Sequence, residues 1–229
     1  MKATAILMTE HRVIEQVLSV LEVMARRAEQ LEVLDAAAAG EALDFLRTFA
    51  DGCHHGKEED ELFPRLEARG LARDGGPTGV MRHEHDLGRT LIGRMATAVE
   101  RRSPAEFAGP AREYVRLLRD HIWKEDNRLF QMADRVLTAG DDDELLRGFE
   151  AAEHRHLGTG THEAYLALAD RLADRFAVPR ANAQMTCGCS GPPVPAGGRG
   201  ATDPRPGDPA PGGARLARSH RLPSATRKP

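Results

Sequence analysis

Aromatic residues are scarce in this chain: Phe, Trp and Tyr make up 4% of its 229 positions, with one Trp and two Tyr. Ala, Leu, Arg and Glu dominate instead, a balance that favours helices over sheets. Cysteine is nearly absent too. Cys53, Cys187 and Cys189 are the whole complement, an odd and sparse set that argues against a disulfide framework and fits a reducing compartment. No run of about 18 apolar residues occurs, so no membrane span is expected. The opening "MKATAILMTEHR" has no signal-peptide core, and a cytoplasmic location is expected. A net charge of −3 offers no global attraction for nucleic acid. Glycine-rich phosphate loops, nucleophile elbows and dinucleotide fingerprints are missing as well. Whatever chemistry the chain performs rests on other residues.

Charge and composition divide the chain. Residues 180–229 carry eight Lys/Arg against two Asp/Glu, with Pro and Gly throughout and almost no large apolar side chain. Such a segment buries too little surface to offset its ordering entropy. Two regions are therefore expected: a folded domain over 1–178 and a disordered, basic Pro/Gly-rich tail over 179–229. Across the domain the apolar spacing is helical, as at Ile6, Val13, Val17, Val20, Leu21 and Met24. A second helix starts near Asp35 or Gly40 and stops at Gly70, with Pro64 predicting a kink or local opening. A third follows the loop "GLARDGGPTG". "SPAEF" reads as a capping box, with Ser103 as N-cap, Pro104 first in the helix and Glu106 reaching back. Two further helices cover "AGDDDELL" onward and "THEAYLALADRLADRF". No strand signal appears. The fold expected is all-α, an antiparallel four-helix bundle with a C-terminal helical pair packed on it.

Within the second helix lies "CHHGKEEDELFP", residues 53–64. It places His54, Glu58 and Leu62 on one stripe, yet the stripe that carries Leu62 belongs in the core. An imidazole and a carboxylate on a buried face are costly unless something pairs with them. The fourth helix repeats the pattern: "HHGKEEDELF" from residue 54 and "HIWKEDNRLF" from residue 121 share six positions in register. A weaker echo, Glu-His at 10–11 and 84–85, marks the first and third helices. The register pairs His54 with His121 and Glu58 with Glu125, while His55 aligns with Ile122. Positions i and i+4 share a face, so each pair forms a two-donor claw. Four inward histidines (His11, His54, His85, His121) and two carboxylates suit iron, or less selectively zinc or manganese, and two bridging carboxylates suit two cations.

The remaining candidates divide by position. His55 is expected outside the inner donors, with a role as ligand left open. His162, in "GTGTHEAY", is the other imidazole that could add a ligand. Tyr114, seven residues before His121, reads as a core tyrosine that could sit beside the site. Glu15 is an outer candidate, His83 a surface residue, and Cys53 small core filler. Cys187 and Cys189 make a lone Cys-x-Cys without the matching pair that a zinc site needs.

"EHRVIEQVL", "CHHGKEEDELFP", "VMRHEHDLGR" and "HIWKEDNRLF" together resemble the hemerythrin-like, or HHE cation-binding, family in its bacterial cytosolic form. The likeness runs from about residue 5 to residue 176. It implies a four-helix bundle holding a non-haem di-iron centre bridged by oxygen and two carboxylates. The ligands it implies are His11, His54, Glu58, His85, His121 and Glu125. In oxygen-carrying members the third helix supplies two histidines four apart; here Met81 and Arg89 flank His85 at that spacing. The expectation is that His162, His55 or Tyr114 substitutes, or that water fills the place. Expected partners are a small diatomic ligand or peroxide, and a redox partner. The function expected is a di-iron protein that binds or senses O2, NO or peroxide. The alternatives are a di-iron oxidoreductase, peroxidase- or catalase-like or repairing iron–sulfur centres, and iron storage or delivery.

Overall fold

The computed structural model describes residues 2–156 and 161–181. Among them there is no strand, and the helices form six rods. The first rod is α1, Ala3–Leu31. In the second, α2 (Ala36–Phe45), two π-helical stretches (Leu46–His55 and Glu58–Leu62) and α3 (Phe63–Ala68) follow without a break. The third is α4, Pro77–Glu100. The fourth joins α5 (Pro104–Lys124), a π-helical turn (Glu125–Leu129) and α6 (Phe130–Val136). The C-terminal pair is α7, Ala139–His156, and α8, Thr161–Phe176. No helix among the described residues is long and apolar enough to cross a membrane.

Local chemistry sets the rod ends. Asp35 accepts the Ala38 N–H at 3.2 Å and so caps α2. The second rod ends at Gly70, whose φ of +97° suits a residue without a Cβ. Thr138 and Asp141 cap α7 reciprocally: each side chain accepts the other's backbone N–H, at 3.2 and 2.8 Å. The box expected at Ser103 is only half made. Ser103 Oγ accepts the Glu106 N–H at 3.3 Å, but Glu106 turns to Arg101 at 3.2 Å. The Ser103 N–H is already bonded to the Ala98 carbonyl, so nothing is left for the glutamate to satisfy.

The opening expected near Pro64 appears just before it. The Phe63 N–H reaches back five residues to the Glu58 carbonyl, one more than in an α-helix. Proline is not the common cause, because the same five-residue step recurs from Phe130 to Glu125, where no proline follows. Both widened turns begin at the repeated glutamate.

Two apolar clusters fill the bundle. One gathers Ile14 to Ala28, Ala38 to Cys53, Leu91 to Ala98, Phe107 to Ile122 and the inner face of α8. The other holds Ala3, Leu7, Leu62, Phe63, Leu66, Met81, Leu129, Phe130 and part of α7. Every rod of the bundle passes from one cluster to the other through a short polar layer. That layer is where the repeated histidines and glutamates fall. Cys53 is buried beside it, a free thiol in the apolar packing, and burial raises its pKa to about 12. Past α8, Ala181 donates its N–H to Gln16 at 2.6 Å. Residues 182–229, with all but the first three residues of the expected disordered tail and with Cys187 and Cys189, lie outside the described residues.

Candidate metal centre

His11 on α1, His54 and Glu58 on the second rod, His85 on α4, and His121 and Glu125 on the fourth rod meet in the polar layer. None is more than 1% exposed. Their donor atoms fall into two groups, each able to hold a metal ion, with all atoms of a group within 4.8 Å of one another. One group is His11, His54, Glu58 and Glu125; the other is His55, Glu58, His85 and His121. Glu58 belongs to both groups, and Glu125, of the first, also approaches His121 of the second. Glu125 Oε2 lies 3.2 Å from the Nε2 atoms of both His11 and His121. The two oxygens of Glu58 lie 3.6 Å from His54 Nε2 and 3.5 Å from His85 Nε2.

The inward aim of every imidazole is fixed from outside. His11 Nδ1 meets Asp126 at 2.7 Å, His54 meets Glu10 at 2.8 Å and His55 meets Asp51 at 3.2 Å. His85 meets Glu59 at 2.6 Å and His121 meets Glu84 at 2.9 Å. A carboxylate on Nδ1 selects the tautomer that leaves an Nε2 lone pair facing the layer, the arrangement typical of metal-ligating histidines. The Glu-His echo and the paired acids of the repeat thus have a division of labour. Glu10 and Glu84 each hold the histidine of the following rod, while Glu59 and Asp126 hold His85 and His11.

The inner atoms lack partners of their own. His11 Nε2 and all four oxygens of Glu58 and Glu125 are buried without a hydrogen bond, which costs on the order of 1–3 kcal/mol per group or more for charges. His85 Nε2 faces His121 Nε2 at 3.1 Å. Burial, then the Glu125 charge, pushes Glu58 well above the usual carboxylate range. Burial acts the same way on Glu125, but His121 and His11 overcome it and hold Glu125 well below that range. Burial opposes protonation of His121 as well, yet Glu125 and Glu84 raise it to about 9. Burial lowers His55 to about 4 against the pull of Asp51. Imidazole nitrogens and carboxylate oxygens converging in a buried layer are the chemistry of a cation site.

Several expectations need correction. His55, expected outside the inner donors, belongs to the second group and stacks on His85 with ring centroids 3.8 Å apart and planes 10° apart. In an α-helix His54 and His55 would point about 100° apart. In the π-helical stretch, where the Gly56 N–H reaches back to Asp51, both rings are buried at the layer. Of the substitutes considered for the fifth imidazole, the structure therefore brings in His55. His162 stays outside both groups, 2.7 Å from Glu153 and edge-on to Phe49. Tyr114 is buried in the larger apolar cluster, as a core tyrosine. Arg89 is not an empty place. It donates to Asp51 and Glu59, each at 2.9 Å, and so steadies the acids that hold His55 and His85. Glu15 pairs with Arg12 at 3.0 Å near the surface. The signal for His55 is Asp51, an acid four residues before it.

A buried layer of imidazoles and shared carboxylates across four rods defines a cation-binding helical bundle. The model of the hemerythrin HHE cation binding domain matches residues 2–133, and the chain belongs to that family. Uncharacterized protein Rv1995 of Mycobacterium tuberculosis is 30% identical over 176 residues, 73% of this chain and 66% of that protein. Uncharacterized protein Mb2018 of Mycobacterium bovis matches to the same extent. The chain thus spans slightly less than two thirds of the length of these relatives. No solved structure gives a significant match.

Proposed function

We propose that the chain is a non-haem di-iron protein of the cytoplasm that binds or senses O2, NO or peroxide. The observation that carries this reading is the pair of donor groups sharing Glu58, one with three imidazoles and one with two. His55, His85 and His121 would hold one iron, His11 and His54 the other, with Glu58 and Glu125 between them. Imidazole and carboxylate donors in a bundle core suit iron. When bound, the two irons supply one-electron redox change and exchangeable coordination for a small ligand. The protein supplies the rest. Asp126, Glu10, Asp51, Glu59 and Glu84 orient the imidazoles, and the two apolar clusters exclude bulk water. The half with two imidazoles has the fewer nitrogen donors, which favours it as the place for the small ligand. A cavity of about 320 Å3 lined by Ile6, Val13, Phe49 and Leu166 reaches Glu10 but none of the seven donors, which supports a diatomic ligand or peroxide over an organic substrate.

Iron content, with optical spectra after exposure to O2, NO and peroxide, tests the reading. Two irons per chain and a stable adduct band with one of these ligands are expected. Rapid turnover without an adduct would mark an enzyme instead, and ready loss of iron to mild chelators a delivery protein.

A further inference from the structure

Lys57, beside Glu58, has a side chain only 1% exposed. A buried ammonium needs carboxylates around it. Its Nζ donates to Glu10 at 2.5 Å and to Glu153 at 3.1 Å, and lies 6.0 Å from the centroid of the Phe149 ring. Glu153 and Phe149 belong to α7, beyond the 2–133 span that the family model matches. The other oxygen of Glu10 meets His54 Nδ1. A continuous chain of contacts, Glu153–Lys57–Glu10–His54, therefore leads from the C-terminal helical pair to one donor of one half-site.

The repeat supplies an internal control. Lys124 aligns with Lys57 and donates to Glu84, which holds His121. Its side chain is 32% exposed, with no second carboxylate partner among the described residues. Trp123, 54% exposed, stands where the second rod has Gly56. The His156 ring of α7 lies 3.5 Å from where a Cβ on Gly56 would stand, so α7 covers the Lys57 side at ordinary contact distance. No described helix lies over Trp123.

We infer that Glu153 is a positioning residue: through Lys57 and Glu10 it fixes His54, so α7 governs metal retention in the His11/His54 half alone. Between two carboxylates in a low-dielectric interior, the ammonium is shared. Without the Glu153 charge it bears wholly on Glu10, which then grips the His54 N–H less firmly and leaves a weaker, looser imidazole donor. This inference rests on the two-metal reading above.

The test uses the full chain loaded with Co(II), whose visible bands report the donors, and follows release to a chelator. The wild-type chain should take up two ions and release them in two phases. The phase that survives in His55→Ile identifies the His11/His54 half. Glu153→Gln should accelerate that phase about tenfold and leave the other unchanged, Glu153→Asp should restore most of the retention, and Lys124→Gln should affect the opposite phase more weakly. If Glu153→Gln proves unstable, His162→Ala removes the 2.7 Å contact that steadies Glu153 and should give the same selective change at smaller size. Equal acceleration of both phases, or of neither, with two ions still bound would overturn this inference alone. A wild-type chain that takes up no cobalt would overturn the two-metal reading and this inference with it.

Discussion

The bundle is built from two hairpins of one design, and their differences say more than their likeness. In the first half Glu10 holds His54, in the second Glu84 holds His121. Asp126 holds His11 as Glu59 holds His85. Lys57 serves Glu10 as Lys124 serves Glu84. The symmetry breaks at one pair of positions next to the donors. Asp51 and His55 on the second rod stand where the fourth rod has the buried apolar Leu118 and Ile122. That exchange turns two equal claws into unequal groups, with three imidazoles in one and two in the other. It teaches that one paired replacement in a repeat changes which side chains meet in each group, and that the outer acid changes together with the imidazole it holds.

Removing what the halves share should have the largest effect. His54→Ala and His121→Ala should each lose most of the metal, because each strips a donor from a group and loosens a shared glutamate. His83→Ala should lose none, since that side chain is exposed. Metal analysis of the purified variants checks this, and equal content in all three would refute the register. Making the halves alike should come next. His55→Ile copies the fourth rod, and bound metal should fall from two ions toward one. The effect of Arg89→Ala or Arg89→His is smaller: Asp51 and Glu59 lose the guanidinium that holds both in position, and affinity at the three-imidazole group should drop by about tenfold, seen in competition with a chelator. Tighter binding in Arg89→His would contradict the role given to the arginine.

The metal-free chain should show the smallest effect, in its pH dependence. His55 is lowered from 6.5 to about 4 in the folded state, so between those values the unfolded chain binds the extra proton and stability falls as pH falls. His121 is raised from 6.5 to about 9; its contribution is complete below 6.5 and is lost as pH rises through 9. Melting temperature without metal should therefore peak near 6.5, and His55→Ile should flatten only the acid side. A profile unchanged on that side would count against burial of a neutral His55.

Much of this was legible in the residues. The rods follow from apolar periodicity and from signals such as Asp35 and Gly70. Six donors follow from the in-register repeat, because a buried His-x-x-x-Glu stripe makes little sense without a cation. What could not be read was His55. α-Helical spacing turns His55 about 100° away from His54, and the π-helical stretch changes which neighbours share a face. The same blind spot made Arg89 look like a missing ligand, whereas its partners Asp51 and Glu59 are remote in sequence by 38 and 30 positions. The C-terminal pair was legible as helices, but not its reach to Lys57, which depends on how α7 packs rather than on any motif.

On the function proposed above, two unequal metal sites share Glu58 and Glu125. Mössbauer spectroscopy of the chain loaded with iron-57 tests it most directly. Two iron environments in equal amount are expected, with His55→Ile abolishing or altering the one with three imidazoles and leaving the other. One iron per chain, or a single environment that His55→Ile does not change, would contradict it.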